Sequence, residues 1–486
     1  MNLGRIASAA GFPLTDSDSA RGEATVTGFA IDHRKVAPGT VFGAFRGARF
    51  NAEDFIPAAI AAGAIAVVAA PEARVEGAVH IADDEPRRAF ARLAAQFFTP
   101  VPQTIVAVTG TNGKTSTVEM CRQLWRMQGH PAASIGTLGV TTADETVSTG
   151  LTTPDIVTFL SNMAGLAREG VTHVAYEASS HGLSQFRNEG LRVAAGAFTN
   201  LSRDHLDYHA TMEDYFAAKM RLFDEVVADD GAAVIWTDDE WSDKALVHAR
   251  TRGLRVLTVG GQGDTIRLLA RTPTQLGQTL ELEVSGKPGK LGLPLIGAYQ
   301  AANALVAAGL VLATGGNEAA VFDALARLQP VRGRLERATI TRAGAPVYVD
   351  YAHTPDAIDA AIAALRPHVS GRLITVLGAG GDRDEGKRPE MGRAAAAGSD
   401  LVIVTDDNPR GEDPAMIRAA VLAGCPGARE IGDRRGAISA AIREAGNDDI
   451  VLIAGKGHEQ GQVVGRGEAM RVLPFDDVTV AREAAA

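Results

Sequence analysis

Apolar positions along this chain fall into two recurring patterns, short unbroken runs and helical stripes, and their order divides the sequence into three blocks. In the first, "VTGFAIDHRKVAPGTVFGAF" predicts short strands, and "FIPAAIAAGAIAVVAA" predicts a helix followed by a buried strand. The helical pattern "PRRAFARLAAQFF" then stops at Thr99-Pro100-Val101-Pro102, where both prolines oppose helix continuation and mark a linker. The second block opens with the β-branched run TIVAVTG and passes at once into a glycine-rich turn and a helix. Further buried-strand runs follow at THVAYEAS, GAFTN, AAVIWT and RVLTVG, separated by helical stretches. From about Thr265 to Leu295 the pattern becomes short alternating strands, and two alanine-rich helices lead to Pro330. In the third block VYVDYA, LITVLGAG, LVIVTDD and IVLIAGKG are apolar strands, each followed by a helical stretch.

Strands alternating with helices predict mostly parallel sheets covered on both faces. The expected fold class is therefore α/β in three domains. Residues 1–99 form a smaller mixed α/β domain, 100–330 a central doubly wound sheet of the phosphate-loop type, and 331–486 a Rossmann-like α/β domain. In doubly wound sheets ligands sit beyond the carboxyl ends of the strands. In the third block those ends carry "AHTPDA", "AGGDRDEGKRP", "DDNPRGEDP" and "KGHEQ", so its unusual chemistry collects on one edge. Asp413-Pro414 in the third of these has the form of a helix start.

Bulk properties narrow the picture. A chain of 486 residues is too long for one ordinary core. A formal net charge of −10 argues against a nucleic-acid surface, so an anionic substrate needs a local basic site. Cys121 and Cys425 are far apart and are expected as unpaired thiols of a reducing compartment. The first residues lack a basic segment followed by an apolar core, and no apolar run approaches the roughly 20 residues that span a bilayer. A cytoplasmic protein without a membrane or nucleic-acid partner is expected, and a monomer.

The strongest local signal is "VTGTNGKTST" (Val108–Thr117). Gly110 and Gly113 permit a tight turn whose N–H groups point inward at phosphate, with Thr111 and Asn112 between them. Lys114 supplies a cation for the β- and γ-phosphates, and Thr115, followed by Ser116, offers a hydroxyl for Mg²⁺ at the helix start. The loop is shorter than the usual phosphate-binding pattern, because Val108 stands where its first glycine is expected. An ordinary turn with an exposed lysine does not account for both glycines and the threonine together, so an ATP site is expected. Glu177 ends a strand nearby, and its carboxylate suits Mg²⁺, a hard cation. His205, in "FTNLSRDHLDYH", is by the same preference a hydrogen-bonding residue. Lys219, in "DYFAAKMRLF", is by default a solvated lysine on an amphipathic helix.

Taken together, GTNGKTST, YEASSHGL, TNLSRDHLDYH, the Lys219 helix, "VRGRLE" and "DYAHTPDA" resemble the Mur ligases, the ATP-dependent amide-forming enzymes of peptidoglycan synthesis. The motifs match in order across essentially the whole chain. The resemblance implies that a substrate carboxylate takes the γ-phosphate of ATP to give an acyl phosphate, which the incoming amine then attacks. It implies catalytic roles for Lys114, Glu177, His205 and Lys219. Thr115 and Glu177 then hold one Mg²⁺, His205 becomes a ligand of a second, and Lys219 becomes a carbamate. Asn303, Arg334 and Asp350, with His353 nearby, match nucleotide-contacting positions. Thr152, Thr153, Ser179, Gln185 and Arg187 match contacts to a UDP-linked sugar peptide. The first block departs from the family pattern. His33 stands in "IDHRKVAPG" where serine is expected, and "GARFNAEDF" replaces the more typical Asp-Gly-His.

Within the family, the D-N-P-R sequence is associated with members that add meso-diaminopimelate to UDP-N-acetylmuramoyl-L-alanyl-D-glutamate. That amino acid carries a second ammonium and carboxylate at its far end. A guanidinium pairs with such a carboxylate in bidentate fashion, and an amide orients it. By the resemblance, Arg410 and Asn408, beside Asp407, bind the distal head, Arg383 and Gly455 complete the pocket, and Glu459 takes the distal ammonium. A lysine-adding relative and a folylpolyglutamate synthase-like ligase are the alternatives. The first has no distal carboxylate to bind, and the second would lack the N-terminal block and the D-N-P-R loop.

Overall fold

The computed structural model describes residues 1–14, 19–47, 51–147, 150–206, 208–274 and 277–486. Its strands form three main sheets, one within each block. The first has four parallel strands in sequence order, Gly28–Ala30, Thr40–Gly43, Ala64–Ala69 and Val79–Ala82. The helix Pro86–Phe97 packs Phe90, Leu93 and Ala94 onto this sheet, with Phe29 and Phe45 around the Phe90 ring.

The central sheet has eleven strands. Its parallel core places Thr104–Thr109 between Val193–Phe198 and His173–Glu177, so the strand leading into the phosphate loop lies in the middle. The helices Lys114–Met127 and Ala298–Ala313 cover one face, and their Ala and Leu side chains share a core with the strands. Both edges are antiparallel: Ile266–Thr274, Gly277–Val284 and Lys287–Leu293 on one side, Gly139–Thr141 and Thr146–Val147 on the other. The alternating pattern between Thr265 and Leu295 is this antiparallel extension.

The third sheet runs Glu336–Ile340, Pro346–Asp350, Ile450–Ala454, Leu373–Leu377, Leu401–Val404, Arg429–Glu430. Only the first strand is antiparallel, and the sequence reading did not pick it out because its apolar positions are interrupted by Arg337 and Thr339. A separate hairpin, Gly461–Val464 with Arg471–Pro474, lies beyond the sheet. The D-N-P-R loop bonds to it, as Arg410 pairs with Val464. Asp413 does cap the helix Pro414–Leu422: its Oδ1 accepts from the Ala415 N–H at 2.9 Å. Both cysteines are buried thiols.

Candidate active site

The phosphate loop has the backbone its sequence demands. Gly110 and Gly113 sit at φ 145° and 87°, and a Cβ on Gly113 would strike the Asn303 amide. Asn200 stiffens the loop from the neighbouring strand end, accepting from the Thr111 and Asn112 N–H groups, both at 2.9 Å. The helix Lys114–Met127 begins without a capping side chain, so its first N–H groups face the loop's concavity. The Lys114 ammonium folds back onto the Gly110 and Thr111 carbonyls at 2.9 and 2.7 Å. Burial pushes Lys114 below its ordinary pKa.

Around this loop the side chains form a connected network. The Thr115 hydroxyl donates to Glu177 Oε1 at 2.9 Å and accepts from Arg334, in the third block, at 3.0 Å. Glu177 is oriented by Thr137, whose N–H and hydroxyl donate at 2.7 and 3.2 Å. The Arg334 guanidinium stacks 4.4 Å over the Tyr351 ring. Asp350, buried at the end of its strand, accepts from the Leu335 and Ala352 N–H groups at 2.6 and 2.8 Å. Burial pushes its carboxyl up to about 6. His353 is lowered by burial and by the nearby Lys387 charge, and its Nδ1 lies 2.8 Å from the Tyr351 carbonyl.

The expectation of a solvated Lys219 is corrected. Its side chain is 1% exposed, donates to the Gly110 carbonyl at 2.7 Å and lies 4.3 Å over the Tyr215 ring. The helix Met212–Arg221 is amphipathic as expected, but its polar lysine faces the phosphate loop rather than solvent. Burial, and then the Lys114 charge, lower Lys219 well below its usual value. His205 adopts φ 56° and lies beside Asp204, with Nε2 to Oδ2 at 3.6 Å. Burial works against ionisation of Asp204, but the neighbouring His205, His353 and Lys387 outweigh it and hold the carboxyl below its ordinary value.

These residues line a cavity of about 530 Å³, which holds Thr111, Asn112, Gly113, Lys114, Thr115, Ser116, Glu177, His205, Lys219, Asn303, Arg334, Asp350 and His353. A second cavity of about 680 Å³ adjoins it and shares Thr152, Ser179, Asp204, His205, Tyr351 and His353. The second also carries Thr153, Arg187, Arg383, Asp407, Asn408, Arg410, Gly455 and Glu459. Thr153 Oγ1 bonds to Ser179 Oγ and the Glu177 carbonyl, at 2.9 and 2.8 Å, and Arg187 holds the Thr153 carbonyl at 2.9 Å. Gly110 and Gln185 line neither cavity. Gly110 serves as an acceptor for both lysines, and Gln185 bonds to Arg187 and Tyr208.

In the third block Asn408 and Arg410 adopt φ 44° and 51°, with Pro409 between them. Asn408 Nδ2 donates to Glu459 Oε2 at 2.7 Å, and Arg410 donates to the Gly381 carbonyl at 2.9 Å. Seven described non-glycine residues have positive φ, and six of them are, or directly adjoin, predicted site residues: Phe186, His205, Leu335, Asp382, Asn408 and Arg410. Unfavourable backbone conformations therefore concentrate at the cavities.

Sequence reasoning passed over Thr137, Asp204, Tyr351, Lys456 and Gln462. Thr137 follows a strand in a glycine-flanked turn, and Lys456 lies inside "KGHEQ", so both carried a signal at a strand end. Asp204 and Tyr351 lie next to His205 and close to His353 in sequence, and their residue types alone carry no signal. In the first block His33 stacks on Phe55 at 4.3 Å, and both line a separate cavity of about 270 Å³ with Asp32 and Arg34. The bond from Arg34 is the main cause holding Asp32 down at about 2. The "GARFNAEDF" departure falls partly on residues 48–50, which lie outside the described residues.

Among the described residues no three His, Cys, Asp or Glu side chains gather as a metal cage. Thr115 and Glu177 together still fit Mg²⁺, which keeps most of its shell from phosphate oxygens and water. Lys219 as an amine does not fit a cation.

Known proteins resemble this chain along most of its length. A model of the Mur ligase middle domain matches residues 108–311, and one of the Mur ligase glutamate ligase domain matches residues 333–457. A UDP-N-acetylmuramoyl-L-alanyl-D-glutamate--2,6-diaminopimelate ligase from Zymomonas mobilis is 61% identical, over 99% of this chain and 98% of its own. The chain belongs to the Mur ligase family. A ligase of the same name from Bradyrhizobium diazoefficiens is 53% identical over 93% of each chain. A solved structure of a ligase of that name matches 100% of this Mur ligase and 98% of its own chain, with a TM-score of 0.73 at 34% identity. No helix among the described residues is long and apolar enough to cross a membrane.

Proposed function

We propose that this Mur ligase joins meso-diaminopimelate to UDP-N-acetylmuramoyl-L-alanyl-D-glutamate with ATP, in the synthesis of peptidoglycan precursors in the cytoplasm. The observation that carries the reading is the junction of the two cavities. Phosphate-loop residues line one, the D-N-P-R residues line the other, and Thr152, Asp204 and His205 border both. A carboxylate lying at that junction is within reach of a γ-phosphate on one side and an amine on the other.

A free carboxylate is a poor electrophile, so the D-glutamate carboxylate first takes the γ-phosphate, releasing ADP. The amine of diaminopimelate attacks the resulting acyl phosphate, and phosphate leaves from the tetrahedral intermediate. Catalysis is then mainly positioning and charge neutralisation. Lys114 turns from the loop carbonyls to the phosphates. Arg334, already on Thr115, brings a second cation from the third block, and Asp350 with Asn303 completes the nucleotide contacts. Thr115 and Glu177 would hold Mg²⁺, which would supply neutralisation of phosphate charge. Low pKa and burial favour the neutral amine of Lys219, the form that adds CO₂. As a carbamate Lys219 becomes an oxygen donor in place of a cation, and His205 lies on the same cavity wall. Thr152, Thr153, Ser179, Gln185 and Arg187 position the UDP-linked substrate. Arg410 and Arg383 pair with the distal carboxylate of diaminopimelate and Glu459 with its ammonium, in a pocket shaped by Asp407, Asn408 and Gly455.

The test is ADP release in the presence of the UDP-linked dipeptide, with diaminopimelate, lysine or glutamate supplied in turn. Turnover with diaminopimelate alone is expected. Preference for lysine would move the assignment to the lysine-adding relatives, and preference for glutamate to a folylpolyglutamate-type ligase.

A further inference from the structure

Beneath the D-N-P-R loop lies a charged side chain with no part in the reaction as described. Lys456 follows the strand Ile450–Ala454 and is fully buried. Its ammonium lies 3.0 Å from Asn408 Oδ1, 3.2 Å from Asp407 Oδ1, 3.2 Å from Gln462 Oε1 and 3.3 Å from Glu459 Oε2. Four acceptors, two from 407–408 and two from 459–462, share three donors.

Two consequences follow for the residues around it. The first concerns Asn408, whose amide could face either way. A buried ammonium tolerates only the oxygen, and the Val463 N–H, 2.9 Å from the same Oδ1, agrees. With Oδ1 committed, Nδ2 must point to Glu459, where it donates at 2.7 Å. The second concerns the carboxylates. Asp407 and Glu459 share one cavity wall and an ion pair to the same ammonium, with the Arg410 and Arg434 charges also close to both, and both bonds to Glu459 fall on Oε2. Without Lys456 the two carboxylates lose the cation bonded to both and repel each other more strongly.

We propose that Lys456 is the positioning residue of the amino-acid pocket: its ammonium fixes the amide orientation of Asn408 and pins Glu459 Oε2, presenting Oε1 to the substrate's distal ammonium. Gln462 belongs to the same unit, since its Oε1 also accepts from the Asn408 N–H at 2.7 Å and its Nε2 reaches the Asp406 carbonyl at 3.3 Å. The hairpin that carries Gln462 thereby locks the loop from outside the sheet. This proposal rests on the assignment of Asn408, Arg410 and Glu459 to the amino acid.

The experiment compares wild type, Lys456→Met and the double variant Lys456→Met/Asp407→Asn in ADP release with all three substrates. Methionine keeps the volume and removes the charge, and the double variant also removes the carboxylate left unpaired. In both, KM for diaminopimelate is expected to rise about 10²-fold, the size associated with breaking a buried charge pair. KM for ATP and for the UDP-linked dipeptide should stay within about threefold, since the side chains assigned to them, Lys114, Thr152, Thr153 and Arg187 among them, bond elsewhere than to this unit. A KM for diaminopimelate that is unchanged or lower overturns the proposal, because net negative charge alone would then suffice. A loss spread equally over all three substrates, or failure of both variants to fold, assigns Lys456 to structure alone and also overturns it. If wild type itself releases no ADP with diaminopimelate, the proposed function fails instead.

Discussion

The phosphate loop and the amino-acid pocket reach organised geometry by opposite routes. Residues 108–117 are contiguous, and their shape follows from two glycines, a central strand and a helix start. Its few outside supports, such as Asn200 and Glu177, come from neighbouring strand ends. The pocket is assembled from 381–383, 407–410 and 455–463, and beside backbone bonds such as Arg410–Val463 these stretches are joined by side chains: Lys456, Gln462, Glu459 and the Asn408 amide. On the proposed function the backbone-built site takes the phosphates that the reaction needs with every amino acid. A side-chain-built site is where one residue can change the choice of substrate. Damage to the first should stop the reaction for every amino acid, and damage to the second should change which amino acid is taken.

The largest effect expected tests the first half of that contrast. Lys219→Ala removes the group buried against Gly110 and should cut turnover by about 10³-fold or more, whichever amino acid is supplied. Adding a short carboxylate in excess should restore part of it by supplying the missing oxygens. Full activity in this variant would remove Lys219 from catalysis. Next in size is Arg410→Ala, with a rise of about 10²-fold in KM for diaminopimelate and no change in KM for ATP. Arg410→Lys should not rescue it, because an ammonium cannot hold a carboxylate in bidentate fashion. An unchanged KM for diaminopimelate would move the selector elsewhere.

The same contrast explains what was legible in the sequence. Strand runs and glycine turns are local, so the three sheets and the phosphate loop stood out before any contact was known. The interrupted edge strand Glu336–Ile340 did not, because an edge strand needs no continuous apolar face. Helical spacing puts Lys219 on the polar face, where solvation is the default expectation, and only the loop packed against that face buries it. Lys456 and Gln462 were missed because their importance lies in oxygens brought from distant segments. His205 needed family resemblance to be noticed as more than a hydrogen-bonding residue.

A smaller effect, about tenfold, is expected from pH. Burial raises Asp350 to about 6, so it is ionised above that pH and neutral below it. The raised value stabilises the fold below the carboxyl's ordinary range, and that contribution is lost as pH rises through about 6. Activity has the opposite sense, because the ionised form balances Arg334 and accepts from Leu335 and Ala352. Turnover should therefore fall about tenfold from pH 7 to pH 5, and Asp350→Asn should flatten that limb. An inflection near pH 6 that persists in the variant would assign it to another group.

The smallest effect separates the scaffold of the amino-acid pocket from its chemistry. Asp413 lies three residues from Arg410, yet its carboxylate caps the Ala415 N–H and lines neither cavity. Asp413→Ala should cost about 1 kcal/mol, typical of a lost helix N-cap, and should lower the thermal midpoint by about 2 °C. Asp413→Asn should recover most of that loss, since an amide oxygen accepts the same bond. KM for diaminopimelate should not move in either variant. The loop's position is fixed instead by the Arg410–Val463 and Asn408–Gln462 bonds on the hairpin side. A large rise in that KM would mean that the helix start, rather than the hairpin, sets where Arg410 stands.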